Sequence, residues 1–336
     1  MATTQRSSTA GVKTALGMSV EAVYGTALAP TVYIPFEDHN IEPSNKLVIN
    51  SAVRKSVGQP QPGLGSVEIK GQITTFADAD VIGNLLVAGM GKDTVTGAAG
   101  NYLHTLSLSN PLNSYCFAAD DGQGSLQSFL GCKISQLDIS CKAGDFLKIK
   151  ADIIGQTSSV SAASLSPTFS NRDFFEFAHL GTSAGGTSTI NGVNVDVTDF
   201  QIQLKNNLKP HMGSTGGRYI VGLNETMRDV SGSFTIEDDS NVGDSINLLL
   251  WGAVGGPSAN KLPRVPAVFT FTQPTSAGLT PSISFQLAFI TIQDISMTRR
   301  RNDILTQQVK FIVSETNGQA DDLKITIANT AATAYQ

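Results

Sequence analysis

Two stretches of this chain are versions of each other, and this repetition restricts the possible folds more than any other feature of the sequence. The first, residues 67–91, reads VEIKGQITTFADADVIGNLLVAGMG, and the second, residues 228–255, reads RDVSGSFTIEDDSNVGDSINLLLWGAVG. Each begins with alternating apolar and polar residues around a glycine, passes an acidic patch and ends in an apolar run. The two glycines, Gly71 and Gly232, lie 161 positions apart. Two copies separated by the length of a domain indicate a duplicated domain and not a solenoid.

The repeat continues along the chain in the same order. Residues 134–140 read ISQLDIS and residues 290–296 read ITIQDIS, so that Asp294 follows Asp138 at a spacing of 156. We therefore predict two tandem similar domains, preceded by an arm of small polar residues that orders only against something else. The predicted segments are an N-terminal arm over 1–30, a first domain over 31–157, a linker or loop over 158–195, a second domain over 196–317 and a C-terminal tail over 318–336.

Length and composition agree with a globular, strand-rich protein. The chain has 336 residues, enough for two domains that each bury a core, with 15% charged and 40% hydrophobic residues. Its 32 glycines, together with many Ser and Thr, favour turns and strands over long helices. The N-terminal residues lack the apolar core of a signal peptide. The longest apolar run, residues 246–254, is far shorter than the roughly 20 residues of a membrane helix, so we expect no membrane association.

Alternating apolar and polar residues predict strands through most of both halves. The predicted strands are 67–76, 101–108, 114–118, 129–140 and 146–154 in the first half, and 195–204, 219–223, 230–236, 265–271, 283–297, 304–313 and 323–328 in the second. Between two shorter strand-like runs, 32–36 and 47–53, the residues Glu42, Pro43, Ser44 and Asn45 predict a turn.

Each half also carries a pattern for one short helix beside its sheet. Asp78 or Asp80 can cap a helix over 80–89 that ends at the following glycines. The corresponding helix of the second half would end at Gly252. The predicted fold class is therefore mainly β, of a β-sandwich or barrel type, in two tandem similar domains with one short α-helix each.

The charge of the chain argues against a protein that grips nucleic acid. There are 28 acidic and 23 basic residues, a formal net charge of −5. A nucleic-acid-binding surface usually needs a basic patch, and the largest basic cluster here is Arg299–Arg301. The three cysteines, Cys116, Cys132 and Cys141, are an odd number without paired spacing. They predict buried thiols in a reducing compartment, and neither a disulfide framework nor a zinc site.

No group of residues predicts a catalytic, cofactor-binding or metal site. Three segments have a partial likeness to a known motif: residues 89–94 lack the first glycine of a phosphate loop, residues 120–124 lack the later ligands of a calcium loop, and residues 237–239 are adjacent carboxylates of a kind usually solvated in a turn. The four histidines are dispersed and are expected to be structural; they are His39, His104, His179 and His211. We therefore predict a protein that is not an enzyme and needs no cofactor.

Several features together resemble one family, the tail tube proteins of long-tailed, siphovirus-type bacteriophages in their larger, duplicated form. The opening residues EAVYGT are followed by Pro30 and an Ile-Pro strand, as in that family. The middle of the chain, with its Pro-Gly, alternating strand, acidic turn and Leu-Leu helix, is similar as well. The segments that carry the resemblance are 21–26, 34–35, 62–63, 67–71, 102–106 and 131–137.

The resemblance implies a structural function. In that family, neighbouring subunits join their sheets edge to edge in a closed ring, and stacked rings form a hollow tube for DNA and the tape-measure protein. A duplicated subunit implies three chains per ring with pseudo-sixfold symmetry, with tail terminator and tip proteins as further partners. The resemblance further implies a virion tail protein assembled in the host cytoplasm. DNA would pass without specific binding through a lumen of acidic or small polar residues.

Two other hypotheses remain open from the sequence. One is a different β assembly protein, such as a capsid decoration protein or the tube of a contractile machine, although the latter resembles a single shorter domain. The other is a carbohydrate-binding β-sandwich, which would favour clustered surface aromatics, whereas this chain has one Trp in an apolar run. The cluster Arg299–Arg301 is either a contact to an acidic turn of a neighbouring subunit or a solvated hairpin tip.

Overall fold

The computed structural model describes residues 13–52, 58, 61–98, 100–167, 169, 173–181, 185–215, 217–237, 262–275, 278–298, 306–314 and 322–335. Throughout these residues the protein is mainly β with antiparallel strand pairing, which confirms the predicted class. The first-half strands are β1 (Ala15–Val20), β2 (Val32–Tyr33), β3 (Asp38–His39), β4 (Glu42–Val48), β5 (Gly63–Phe76), β6 (Gly91–Ala98), β7 (Asn101–Leu108), β8 (Tyr115–Asp120), β9 (Leu126–Lys142), β10 (Lys148–Gly155) and β11 (Thr157–Ser161). The second-half strands are β12 (Thr187–Ile190), β13 (Val193–Asn194), β14 (Val197–Lys205), β15 (Lys209–Met212), β16 (Ile220–Asn224), β17 (Asp229–Glu237), β18 (Val265–Thr272), β19 (Ser282–Thr298), β20 (Thr306–Val313) and β21 (Leu323–Asn329).

One antiparallel sheet runs through both halves. Its strands pair in the order β4–β5–β10–β9–β14–β17–β20–β19, and β3 continues the line of β4 along β5. This order consists of two runs of four, β4–β5–β10–β9 and β14–β17–β20–β19. If the four strands of a run are numbered in chain order, they lie side by side in the order 1–2–4–3 in both runs. The two runs are compatible with the tandem organisation that the sequence predicts.

The two long strands, β9 and β19, each have 17 residues and pass from this sheet into a second layer. The beginning of β9 pairs with β8 and β11, and β8 continues through β1 to β2. The beginning of β19 pairs with β18 and β21, and β18 continues through β12 to β13. The β6–β7 hairpin of the first half extends this second-half sheet through a β7–β21 pairing. The halves are therefore joined by backbone hydrogen bonds in both layers.

A β-bulge lies at the corresponding place in each long strand. In β9, Ile134 and Gln136 have successive partners in β10, so Ser135 is skipped. In β19, Ile292 and Asp294 have successive partners in β20, so the residue between them is skipped. The bulges are 158 positions apart, whereas the sequence comparison aligned ISQLDIS with ITIQDIS at 156. The alignment of residues 134–140 with residues 290–296 is therefore wrong by two residues. The two segments resemble each other at both spacings, and only the hydrogen bonding of the strands shows which spacing is structural.

The repeated glycines do occupy matching places in the sheet. A Cβ atom at Gly71 would collide with the carbonyl oxygen of Asn40 on the adjacent strand segment. A Cβ atom at Gly232 would collide with the carbonyl oxygen of Gln201 on β14. Both glycines therefore allow the first strand of a run to lie unusually close to the second. Their separation of 161 is also the spacing that relates β4 to β14 and β5 to β17.

The helix predicted over 80–89 is present as α1 (Ile82–Met90) and packs against β9, β7 and β6. Its N-cap is Val81; Asp78 instead accepts the N–H groups of Asp80 and Val81, both at 2.7 Å, and so holds the turn before the helix. Gly91 ends the helix in the left-handed region at φ 106°. The helix predicted to end at Gly252 lies outside the described residues.

Three segments expected to lie outside the two domains contribute strands. The predicted N-terminal arm contains β1, whose Leu16 and Met18 are fully buried, so this part orders against the chain's own β8. The predicted linker contains β12 and β13, and the predicted tail contains β21 in the middle of a sheet. Residues 42–45 form part of β4 and not the predicted turn. A proline is compatible with an edge strand when its nitrogen faces away from the sheet.

Candidate assembly edges

The residues weighed as chemical candidates have structural roles. His104 is buried; its Nδ1 lies 2.7 Å from Asp93 Oδ2 and its Nε2 2.9 Å from the carbonyl oxygen of Ala331. These contacts fix the C-terminal segment on the β6–β7 hairpin and use Asp93, the residue from the motif at 89–94. His39 packs edge-on against Phe36, and burial lowers the pKa of its imidazole. His179 lies in a short 3-10 helix, Phe177–Leu180, and His211 is exposed on β15.

The Asp-rich segment and the cysteines, where described, also have structural roles. Asp120 accepts the N–H of Gly122 at 2.8 Å, and Asp121 accepts that of Gln123 at 2.8 Å, which makes this segment a hairpin turn. All three cysteines are buried free thiols, as predicted; burial raises the pKa of Cys141 to about 12. In the described part of the chain, no three His, Cys, Asp or Glu side chains form a metal-type group. Residues 238–239 and Arg299–Arg301 lie outside the described residues.

The EAVYGT segment has a role that the sequence analysis did not find. The buried Glu21 carboxylate accepts the N–H of Gly25 at 2.9 Å and the N–H of Gly131 at 2.8 Å. Gly131 has φ 64° and lies in β9 between its two pairing regions. A Cβ atom on Gly131 would collide with the Cβ of Gln156 and with the ring of Tyr24. This segment therefore clamps the point at which β9 leaves one layer for the other.

One edge of the eight-stranded sheet is formed by β3 and β4, which pair only with β5 among the residues that the structure describes. The N–H of Asn40 donates to the Gln72 carbonyl on β5, and the alternation of an antiparallel ladder then directs the N–H groups of residues 41 and 45 to the open side. Pro43 lies between them and offers no donor there. Every residue of β4 is exposed, including Leu47 at 60%. Exposed Val48, Ile49 and Leu64 extend this apolar end of the edge.

The second open edge is the end of β19. Among the described residues, 291–298 of β19 pair only with β20. The bulge at Gln293 lies on this stretch. The two edges are at opposite ends of one sheet, so that another chain could add a strand to either.

The junction between the two runs shows how such edges meet in this protein. β14 and β9 pair antiparallel from Asp199↔Lys142 to Lys205↔Gln136, and Asn206 follows directly. Asn206 is 0% exposed; its side-chain amide donates to the Ile134 carbonyl at 2.8 Å and the Gly89 carbonyl at 3.0 Å. Its backbone N–H donates to the Ser135 carbonyl at 2.8 Å. Asn206 therefore fixes the register of β14 at the β9 bulge.

The segment after β14 strengthens this junction. Lys133 Nζ lies 2.7 Å from Glu225 Oε1 and donates to the Leu223 carbonyl at 3.1 Å. Burial opposes ionisation of Glu225, but the hydrogen bonds from Lys133 and nearby N–H groups outweigh it and lower the pKa of Glu225. The Arg228 guanidinium donates to the carbonyl oxygens of Met90 at 3.3 Å and Ser109 at 2.7 Å, and burial lowers its pKa. These contacts dock the second half against the first.

The face of the junction opposite the core is polar and carries both signs of charge. Lys142 of β9 stands opposite Asp199 of β14. Asp138 accepts side-chain amides from Gln136 and Gln203, each at 2.7 Å. Acidic and basic residues are thus in register across the junction, and Asp138 is hydrogen-bonded within the chain.

A second sequence repeat, overlooked in the sequence analysis, lies on these strands. Residues 38–47 read DHNIEPSNKL and residues 199–208 read DFQIQLKNNL, which share Asp, Ile, Asn and Leu in the pattern D-x-x-I-x-x-x-N-x-L. Their spacing is 161, the same as that of the repeated glycines. The pattern could have been found by extending the glycine alignment backwards, but Pro43 made the first copy look like a turn.

The fold is that of an antiparallel, strand-rich protein, and within the described residues its long sheet has an unpaired strand edge at each end. The sequence model of a family described as phage tail tube protein matches residues 11–331. The chain therefore belongs to the phage tail tube protein family, a structural and non-enzymatic family whose members form the tube of the virion tail by self-assembly. A search of curated proteins finds no match. No helix among the described residues is long and apolar enough to span a membrane.

Proposed function

We propose that three copies of this chain close into a ring and that the rings stack into the tail tube of a siphovirus-type phage, through which DNA is ejected. The observation that carries the proposal is the strand order of the long sheet. Its two runs meet at the β9–β14 junction, and each end presents a strand equivalent to one side of that junction: β4 corresponds to β14, and β19 to β9. A head-to-tail arrangement of identical copies can therefore repeat the internal junction between chains and close a ring.

Closure of three copies gives a barrel of suitable size. Each chain contributes the eight strands of the long sheet, so three chains contribute 24. With strands about 4.8 Å apart and tilted by roughly 40°, such a barrel has a backbone radius of roughly 24 Å. Barrels of about 16–18 strands already leave a water-filled channel. Two runs per chain give the ring its pseudo-sixfold symmetry.

The polar face of the long sheet is suited to line the lumen. Its opposite face is covered by buried side chains such as Ile139 and Ile202, so only the polar face is left for a channel. Acidic residues stand opposite lysines on this face, with Asp199 opposite Lys142 and Asp138 opposite Lys150, and such a mixed surface favours weak binding of the phosphate backbone over strong binding. DNA would then slide through the tube without specific binding.

The proposal includes the domain organisation and the partners. Two tandem tube domains, 31–157 and 196–317, account for the two runs, while the arm, linker and tail add strands to them. The tape-measure protein would occupy the lumen during assembly in the host cytoplasm, and terminator and tip proteins would cap the ends.

Negative-stain electron microscopy of the concentrated, purified chain tests the proposal. We expect hollow tubes with regular cross-striations, and rings with three-fold or pseudo-sixfold symmetry in end views. Solid fibrils, or symmetric shells in place of tubes, would contradict the tube and favour another β assembly protein. Monodisperse particles that bind an oligosaccharide column would favour the carbohydrate-binding alternative.

A further inference from the structure

One asparagine fixes the register between β14 and β9 at the internal junction. Asn206 is completely buried and contacts two adjacent carbonyl groups at the β9 bulge, those of Ile134 and Ser135. A bulge places successive carbonyl groups on one side of a strand, and an asparagine with one backbone and two side-chain donors can satisfy them. A shift of β14 by two residues would move Asn206 away and leave these carbonyls buried without donors.

The same residue types occur at the open edge of the first half, but there they are exposed. Asn45 corresponds to Asn206, and Leu47 corresponds to Leu208, at the common spacing of 161. Leu208 is 9% exposed at the internal junction, whereas Leu47 is 60% exposed. Asn45 is exposed in β4, and its Oδ1 accepts a long 3.3 Å hydrogen bond from Arg218. The edge therefore has the same residue types as the junction, but no strand of the described residues pairs with its open side.

The other end of the sheet carries the matching acceptor. The bulge of β19 is formed by Ile292 and Gln293, which correspond to Ile134 and Ser135 at a spacing of 158. At this spacing of 158 the pairing of β19 with β20 is also equivalent, residue by residue, to the pairing of β9 with β10 on both sides of the bulge. Since the β9 bulge directs its carbonyls towards β14, the β19 bulge directs the equivalent carbonyls towards its open side.

We propose that Asn45 sets the register between copies, by pairing the β3–β4 edge of one chain with β19 of a second copy so that Asn45 lies at the Gln293 bulge. The Asn45 backbone N–H donates to the Gln293 carbonyl, and its side-chain amide donates to the Ile292 carbonyl. Leu47 becomes buried as Leu208 is. This inference rests on the proposed function, since it specifies the register of the contact by which rings would close.

The register predicts which residues face each other across the contact. Counting along both strands from Asn45 opposite Gln293 places Ser44 opposite Asp294 and Glu42 opposite Ser296. In the internal junction the corresponding pairs are the non-hydrogen-bonded ones, whose Cα atoms are typically about 4.5 Å apart. This separation suits a disulfide. Within one chain, Glu42 and Ser296 lie at opposite ends of an eight-stranded sheet, roughly 34 Å apart at about 4.8 Å per strand.

Cysteine cross-linking tests the register. The variant Glu42→Cys/Ser296→Cys should form disulfide-linked dimers and trimers under mild oxidation of the concentrated full chain. The matched variant Glu42→Cys/Asp294→Cys, shifted by two residues, should give at least tenfold less. The three native thiols are buried, and the wild-type chain reports any contribution from them. Equal yields, or a higher yield from the shifted pair, would overturn the register while leaving edge-to-edge assembly standing.

A pair of single variants tests the role of Asn45 itself. Asn45→Ala should leave the unfolding midpoint of the isolated chain unchanged but raise the concentration needed for assembly at least tenfold, because the Ile292 carbonyl of the neighbour loses its side-chain donor. Asn206→Ala should lower the unfolding midpoint. Unchanged assembly of Asn45→Ala would overturn the role of Asn45. If the wild-type chain does not assemble and neither cysteine variant cross-links, the proposed function fails together with this inference.

Discussion

Removal of the Glu21 carboxylate tests the account of the EAVYGT segment most sharply. Glu21 is 7% exposed and holds two backbone donors, the N–H groups of Gly25 and Gly131. The bond to Gly131 is buried, whereas that to Gly25 is only partly so. In Glu21→Ala the Gly131 donor has no replacement, but water can reach Gly25.

The expected cost follows from these two contacts. A hydrogen bond to a charged group contributes roughly 1.5–3 kcal/mol, and an unsatisfied buried donor costs about 1–3 kcal/mol. We expect Glu21→Ala to lower the free energy of unfolding by about 3 kcal/mol, mostly through Gly131. Glu21→Gln retains one carbonyl oxygen of similar shape, so it should cost about half as much.

Guanidinium unfolding followed by circular dichroism measures this difference. Glu237→Ala is the matched control, because Glu237 is exposed at the end of β17, and surface substitutions usually stay within about 0.5 kcal/mol. The order of stability should be wild type and Glu237→Ala, then Glu21→Gln, then Glu21→Ala. If Glu21→Ala were as stable as Glu237→Ala, the clamp on β9 would have no energetic role.

Three further predictions concern the same core. Gly131→Ala should cost about 2 kcal/mol in chemical denaturation, since φ 64° disfavours a side chain and the Tyr24 ring occupies the space; a cost below about 0.5 kcal/mol would contradict this. Lys133→Ala should cost roughly 3 kcal/mol because it leaves Glu225 half-buried and uncompensated, while Lys133→Met/Glu225→Leu should recover most of the loss; equal stabilities of the two variants would count against a coupled pair. The pKa of Glu225 is below its ordinary 4.5 in the folded chain, so its stabilisation is present above about pH 4.5 and is lost as pH falls through the folded pKa. In acid titrations Glu225→Gln should therefore lose less stability below about pH 4.5 than the wild-type chain, and parallel curves would refute the link.

Most strands could be predicted because one face of each is buried and the other is exposed, which makes apolar and polar residues alternate. Alternation marked β7 at its true bounds, Asn101–Leu108, and located β5, β17 and β21 within a few residues. The helix α1 was predicted as well, although its first turn is held by Asp78 from outside the helix. Patterns of this kind are local, so they survive without knowledge of the tertiary fold.

The junctions were not predictable from local patterns. β4 has no buried face, and all its residues are exposed, so alternation could not mark it and Pro43 suggested a turn. The correct alignment of β19 with β9 follows from the bulges at Ser135 and Gln293, which only the hydrogen bonding shows. The sequences are also similar when they are shifted by two residues, so the sequence alone gave the wrong spacing. The roles of Glu21 and Asn206 depend on contacts with residues 110 and 72 positions away. Only the repeat of residues 38–47 at 199–208 was open to discovery in the sequence.

Helical reconstruction of the assembled tube by electron cryomicroscopy would show whether the two ends of the long sheet pair between chains. We expect an inner barrel of 24 strands from three chains, in which β4 of each chain pairs with β19 of the next and Asn45 lies at the Gln293 bulge. A tube in which these two edges remain unpaired, or in which the polar face of the long sheet points away from the lumen, would contradict it.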